Sequence, residues 1–176
     1  LAEAAGSGAW DVGFLGAEPQ RANAIDFTAA YVEIEATYLV PPESPIKTID
    51  EVDRKGVRIA VPGKAAYELY LTRSLKNAEL VREQGGDNAF RRFVADRLDA
   101  LAGLRSRLVK DQRNLPGSRV LDGRFTAVQQ AAGTPKGRPA GAQYLRAFIE
   151  EVKASGLVAR LIEKNGVHGL TVAAKA

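Results

Sequence analysis

An arginine in a short polar break is the first residue of this sequence whose type and setting could do chemistry. Arg21 lies in the stretch EPQRANAIDFTAAY, residues 18–31, directly before residues typical of the start of a strand. A guanidinium is planar, offers two parallel donors to a carboxylate and stays charged when it loses water. The residue predicts either a fixed cation that binds an acidic ligand at the mouth of a cleft or a surface arginine on the turn after Pro19.

A glycine turn offers a second place for an anion. In the stretch VPGKAAY, residues 61–67, a strand runs through a turn into a helix. The exposed N–H groups at a helix N-terminus favour negative charge, which makes candidates of Gly63, Lys64, Ala65 and Ala66. The alternative is an ordinary strand-to-helix turn. The spacing is not that of a phosphate-binding loop, and no G-x-G-x-x-G is present.

The sequence has few combinations of residues that could catalyse a reaction or bind a metal ion. His168 is the single histidine and cysteine is absent, which excludes a histidine triad, thiol catalysis and thiolate metal sites. We therefore predict no catalytic residue, no metal site and no cofactor. We interpret Trp10 as a packing residue. A basic run is interpreted as a solvated helix face, with a contact to a membrane permease as the alternative: Arg105, Arg107, Lys110 and Arg113.

Composition narrows the class of protein. The 176 residues are 45% hydrophobic and 26% charged, which is typical of a globular chain. A net charge of +4, spread along the chain, argues against nucleic-acid binding. No apolar run approaches the roughly 20 residues of a membrane-spanning helix. Because methionine is also absent, we expect an N-terminus that has been processed or truncated.

The order of elements predicts an α/β fold. Apolar strand-like runs such as WDVGFLG and FTAAYVEIEATYLV alternate with helical patterns, and VRIAVPGKAAYELYLTRSL followed by AELVREQ reads as a βαβ unit. In TIDEVDRKG, Thr48 with Glu51 three residues later is a capping-box pattern for a short helix. Such folds bind ligands beyond the carboxyl ends of their strands.

Four segments in order carry a resemblance to a known family. They are WDVGFLGAEPQRANAIDFTAAYVEIEATYLV, TIDEVDRKGVRIAVPGKAAYELYL, LDALAGL and AAGTPKGRPAGAQYLRAFIEEVKASGLVARLIEKNG. The chain resembles the family 3 extracellular solute-binding proteins, the polar amino-acid receptors of ABC transporters. The resemblance implies a two-lobed, type II periplasmic binding protein-like fold, with mainly parallel sheets, helices on both faces and two crossing hinge strands.

The same resemblance implies a division into lobes. ATYLV and AVQQAAGTP resemble the two crossing strands. Lobe 1 would comprise residues 1–41 and 127–176, and lobe 2 residues 42–126. Relatives begin with further strand and helix segments ahead of the part matching Leu1, so we expect lobe 1 to be incomplete at its N-terminus.

The resemblance also assigns ligand-binding positions. Arg21 falls on the arginine that pairs with the ligand's carboxylate, and Gly16, Ala17 and Glu18 replace hydroxyl-bearing residues of many relatives. Gly103 and Leu104 fall where relatives place an aspartate that pairs with an α-ammonium group. Because leucine cannot pair with an ammonium, we predict an anionic or polar solute in place of a standard α-amino acid, unless Glu18 or the missing segment supplies the negative charge.

The function that follows is a periplasmic solute receptor without chemistry. It would deliver a small carboxylate-bearing or polar solute, amino-acid-like or an organic acid, to an ABC transporter permease, and we expect a monomer. Two alternatives stay open. One is a cyclohexadienyl or arogenate dehydratase on the same scaffold, for which Glu18 is the obvious proton donor. The other is the sensory ligand-binding domain of a membrane receptor.

Overall fold

A computed structural model describes the whole chain, Leu1–Ala176. The strands are β1 (Gly13–Gly16), β2 (Ile25–Val40), β3 (Arg58–Pro62), β4 (Glu79–Glu83), β5 (Ala100–Leu104), β6 (Arg119–Val120), β7 (Thr126–Pro135) and β8 (Leu170–Val172). The helices are α1 (Ala66–Ser74), α2 (Gly86–Ala95), α3 (Arg105–Arg113), α4 (Pro139–Ala154) and α5 (Leu157–Lys164). Short 3-10 helices span Ala2–Ala4, Arg21–Asn23 and Ile49–Glu51.

The chain forms two compact units. Unit 1 comprises Leu1–Ile34 and Val128–Ala176, and unit 2 comprises Glu35–Ala127. The chain passes from unit 1 to unit 2 within β2 and returns near the start of β7. The lobe boundaries given above and the hinge role of the two crossing strands stay predictions.

The strands of unit 2 combine parallel and antiparallel pairing. β3 lies parallel to both β4 and β5, whereas β5 lies antiparallel to β2, with Thr37 opposite Gly103. The βαβ connection through α1, and the one that returns through α2, keep β3, β4 and β5 parallel, because each crossover reverses the chain before the next strand. No such α-helical crossover connects β2 to β3. The α/β class is thus confirmed, and the sheet is mixed where mainly parallel sheets were expected.

Helices cover both faces of the unit 2 strands, as the α/β class predicts. Successive side chains of a strand point to opposite faces. Ile59 of β3 packs in one buried cluster with Leu71 of α1. Its neighbour Ala60 packs in a second buried cluster with Phe93 of α2 and Leu108 of α3. Unit 2 therefore has two cores, one on each side of its strands.

Unit 1 is built around antiparallel pairs. β1 pairs with β7, with Leu15 opposite Ala131, and β8 pairs with β2. A small buried cluster joins Leu15 and Ile25, and Trp10 packs against it. The packing role inferred for Trp10 is confirmed.

Local signals in the sequence are seen in the structure. The N–H of Thr48 donates to the Glu51 carboxylate at 3.2 Å, and this capping box starts the 3-10 helix Ile49–Glu51. Gly156, at a φ of 72°, separates α4 from α5 in the left-handed region that glycine adopts without strain. Both features depend on residues within a few positions of one another.

Close packing at Gly133 of β7 gives a first prediction. A Cβ added there would lie 2.6 Å from Cγ2 of Ile25 and 3.2 Å from the ring of Phe27. Ile25 is 1% exposed and has no space to move into. We expect Gly133→Ala to lower the free energy of unfolding by about 1–3 kcal/mol, measured by urea titration.

Gly141 of α4 is the matched control for that substitution. An added Cβ there meets no atom within 4 Å. Because alanine is the better helix former, Gly141→Ala should raise the free energy of unfolding by about 0.4–1 kcal/mol. Equal effects of the two substitutions would contradict the packing around Gly133.

Candidate functional site

The loop after β1 brings together the four residues of unit 1 that were predicted to bind ligand. The Ala17 N–H donates to the Gln129 carbonyl at 2.8 Å, and the Glu18 N–H donates to the Gly16 carbonyl at 3.0 Å. The Glu18 carbonyl accepts the Arg21 N–H at 2.9 Å and thereby starts the short 3-10 helix of this loop. Backbone hydrogen bonds therefore fix Arg21 close to the end of β1.

The Arg21 side chain turns back over the strand end. Its Nη1 donates to the Gly16 carbonyl at 2.9 Å, and the residue is half-buried. Burial lowers the pKa of Arg21, while the nearby Glu18 carboxylate acts to raise it. A guanidinium titrates far above neutral pH, so it remains charged in this setting. The loop thus presents a positioned and partly desolvated cation, which is the group that a carboxylate ligand needs.

The loop before α1 carries the second set of predicted ligand-binding residues. The Gly63 N–H donates to the Glu83 carbonyl at 2.9 Å, and the Lys64 N–H donates to the Glu68 carboxylate at 3.0 Å. Ala65 is the N-cap residue of α1 and has no side chain that could cap the helix. Two of the four proposed N–H donors are thus already bonded within unit 2. Any anion binding at this helix start rests on the N–H group of Ala65 and on those of the first turn of α1, beginning at Ala66.

A buried carboxylate lies behind this loop, and the sequence reading missed it. Glu68 of α1 is 4% exposed. Besides the Lys64 N–H, its carboxylate accepts the Thr72 hydroxyl at 2.7 Å and Nε of Arg82 on β4 at 2.8 Å. One signal was available: Glu68 stands three residues after the N-cap, where a glutamate commonly bonds back to the helix start. We name Glu68, Lys64, Thr72 and Arg82 the Glu68 network.

The Glu68 network changes what the start of α1 can do. The carboxylate occupies part of the positive end of the helix, so an incoming anion meets a potential that is already partly compensated. Burial acts to raise the pKa of Glu68, but the hydrogen bonds from Thr72, Arg82 and the Lys64 N–H outweigh it, and the pKa is lowered. The carboxylate is therefore ionised at neutral pH. Its hydrogen bonds to the Lys64 N–H and to Arg82 hold the shape of this loop.

The third predicted segment, Gly103 and Leu104, lies at the carboxyl end of β5. Because β3 and β5 are parallel neighbours, this segment and the loop before α1 lie at the same edge of the sheet. A Cβ at Gly103 would come within 2.8 Å of the buried Leu108 side chain, so this position has room only for glycine. Leu104 is the N-cap of α3 and offers no polar side-chain group.

Two arginines of the basic run make specific ion pairs. Arg107 bonds the buried Asp111 at 2.8 Å and Asp87 of α2 at 2.6 Å. Arg105 bonds Glu35 of β2 at 2.6 Å, with only 19% of its own side chain exposed. The interpretation of the run as a solvated helix face is wrong for Arg105, whereas the Arg107 side chain is 41% exposed and is both solvated and paired. Their partners lie on other elements or on the buried side of α3, which the order of charges along the run does not show.

Two further observations concern other kinds of site. No group of three or more histidine, cysteine, aspartate or glutamate side chains is arranged to hold a metal ion. None of the helices is both long enough and apolar enough to cross a membrane.

Comparisons with solved structures show which fold this is. A substrate binding protein of an amino acid ABC transporter superposes with a TM-score of 0.78 at 21% identity, over 93% of this chain and 74% of its own. The solute receptor for L-cysteine of Neisseria gonorrhoeae gives a TM-score of 0.80 at 22% identity, over 96% of this chain and 70% of its own.

A third solved structure has the same fold. It is an ancestral amino acid-binding protein described as a precursor of cyclohexadienyl dehydratase, with a TM-score of 0.74 at 24% identity, over 93% of this chain and 72% of its own. At these identities the likeness concerns the fold alone. It confirms the periplasmic binding protein-like architecture expected from the sequence.

The sequence itself settles the family. No curated protein matches the chain. The match to the bacterial extracellular solute-binding proteins, family 3, extends over residues 1–168, nearly the full length of the chain. It includes the loop with Arg21, the loop before α1 and the end of β5. The chain therefore belongs to the bacterial extracellular solute-binding proteins of family 3.

Proposed function

We propose that this protein is the solute receptor of an ABC importer and that it binds a small carboxylate-bearing or polar solute. The observation that carries the proposal is the position of Arg21, a charged and half-buried guanidinium bonded to the end of β1 in a chain of this family. Such a cation is suited to a forked pair with a carboxylate. The solute receptor works in the periplasm, as a monomer, and passes its solute to a membrane permease.

We infer that the solute is an anionic or polar molecule lacking the α-ammonium group of a standard amino acid, unless Glu18 supplies the negative charge that an ammonium needs. An ammonium needs a carboxylate partner, and Leu104 provides none at the end of β5. Asp111, which lines the same small cavity as Gly103, is bonded to Arg107 at 2.8 Å. Arg107 also engages Asp87. Neither Leu104 nor the paired Asp111 therefore offers an available carboxylate to an α-ammonium group.

A thermal-shift screen tests this proposal after native mass spectrometry has identified any solute that purifies with the protein. The twenty amino acids are compared with a panel of small organic acids. A ligand present at 100 times its Kd adds about 2.7 kcal/mol of stability, and we expect a saturable rise in melting temperature with at least one acid. A strong, saturable shift with an ordinary amino acid and none with the acids would show that the ligand class is wrong.

The receptor acts by binding alone. Incubation with prephenate or arogenate tests the dehydratase alternative. Its proton donor would be Glu18, whose carboxylate lies near Arg21 and acts to raise the pKa of that arginine. We expect no product in either incubation. Turnover by the parent protein that is lost in Glu18→Gln would show that the protein is an enzyme and not a receptor alone.

A further inference from the structure

Unit 2 contains a cavity that none of the predicted ligand-binding residues lines. Its volume is about 450 Å³, within the range of pockets that hold small molecules. It lies between β2, the 3-10 helix Ile49–Glu51, the end of α1 and the chain just before β7. The family assignment gives this cavity no role.

Tyr38 of β2 forms a buried part of the cavity lining. It is 2% exposed and packs in the buried cluster that contains Leu71. Burial, with Asp53 and Tyr70 nearby, raises the pKa of Tyr38, so the hydroxyl keeps its proton. This side of the cavity is therefore neutral.

Three aromatic rings form part of the cavity lining, beside its polar and charged groups. The Phe125 ring packs against those of Tyr38 and Tyr70, with centroid distances of 4.6 Å and 6.1 Å. The planes of Phe125 and Tyr70 differ by 24°, close to parallel. Ring faces of this kind attract flat apolar groups and organic cations.

The charges around the cavity are mainly negative. Asp50, Asp53 and Arg124 line it, so two carboxylates oppose one guanidinium. The Asp53 carboxylate is fixed by the N–H groups of Lys76, Asn77 and Ala78, at distances between 2.8 and 3.2 Å. It does not depend on a ligand for its position. Asp50 is exposed at the edge of the cavity.

We propose that this cavity of unit 2 is a second binding site, which takes a small organic cation: an amine on an aromatic or similarly flat apolar body. The apolar body packs against the rings of Tyr70 and Phe125. The ammonium group lies at the Asp50 and Asp53 side. The charge of this ligand is opposite to that of the solute proposed for the Arg21 loop, so the two sites can be tested independently.

Phenethylamine is the probe, and 3-phenylpropionate, with a similar body and the opposite charge, is its counterpart. Titration calorimetry and saturation-transfer NMR on the full chain should show saturable binding of the amine and weaker or no binding of the acid. Asp50→Asn should weaken amine binding about tenfold, since it removes a charged partner. Ser74→Phe, at an exposed position of the lining, should abolish binding by filling the cavity.

Two controls separate this site from the proposed solute site. Glu79→Gln removes an exposed carboxylate of unit 2 outside the cavity and should leave amine binding unchanged. Arg21→Ala should also leave it unchanged. The proposal is overturned if the amine fails to saturate up to roughly 10 mM, if Ser74→Phe and Asp50→Asn both bind it like the parent protein, or if Arg21→Ala abolishes binding.

Discussion

Replacing Arg21 by alanine should lower the affinity for the solute by roughly 30-fold to several-thousandfold without unfolding the protein. Truncating one partner of a buried, hydrogen-bonded charge pair costs on the order of 2–5 kcal/mol of binding free energy. The expected loss is large because the half-buried Arg21 guanidinium is the group that we propose to pair with the carboxylate of the solute. Titration calorimetry with the co-purified solute measures the change.

Two further variants make the Arg21 result specific. Arg21→Lys keeps the charge and loses the planar fork, so its affinity should fall between those of the parent protein and Arg21→Ala. Arg146→Ala removes an exposed arginine from α4 of the same unit and should change neither affinity nor stability. An Arg21→Ala protein that binds the solute as tightly as Arg146→Ala does would rule out the proposed role.

Replacing Glu68 by alanine should have the largest effect on stability, lowering the free energy of unfolding by about 3 kcal/mol. Removing one partner of a buried ion pair typically costs 3–5 kcal/mol. We take the lower end of that range because the Arg82 side chain is 48% exposed and can return to water, while Thr72 and the Lys64 N–H lose their acceptor. Urea titration gives the value. Glu79→Ala, at an exposed glutamate of β4, is the control and should lie within about 0.5 kcal/mol of the parent protein.

The stabilisation that Glu68 provides should depend on pH. The folded-state pKa of Glu68 is lowered, so its ionised form stabilises the protein fully above the ordinary carboxyl pKa of about 4.3. That stabilisation is lost as the pH falls through the lowered pKa. The stability difference between the parent protein and Glu68→Gln should therefore be constant near neutral pH and shrink below about pH 4. A difference that grows on acidification would contradict the ionised Glu68 network.

Local sequence features were enough to predict the α/β class and to choose most of the candidate site residues. The capping box of Thr48 and Glu51, the left-handed Gly156 and the strand-to-helix turn before α1 each depend on residues a few positions apart. Arg21 could be singled out for the same reason, since its loop follows directly from the end of β1. Interactions over such short separations are encoded in the order of residues, whatever the rest of the chain does.

The tertiary structure alone decided which of these residues are already engaged. Glu68 meets Arg82 fourteen positions away, and Arg105 meets Glu35 seventy positions away, because sheet pairing and helix packing bring distant segments together. The same packing placed Tyr38, Tyr70 and Phe125 around one cavity, although they lie in three separate segments of the chain. The sequence determined the family, the class of fold and the place of Arg21 in the loop after β1. Burial and long-range pairing depend on how the whole chain packs. Only the folded structure could therefore show the buried carboxylate of Glu68, the paired arginines of α3 and the cavity of unit 2.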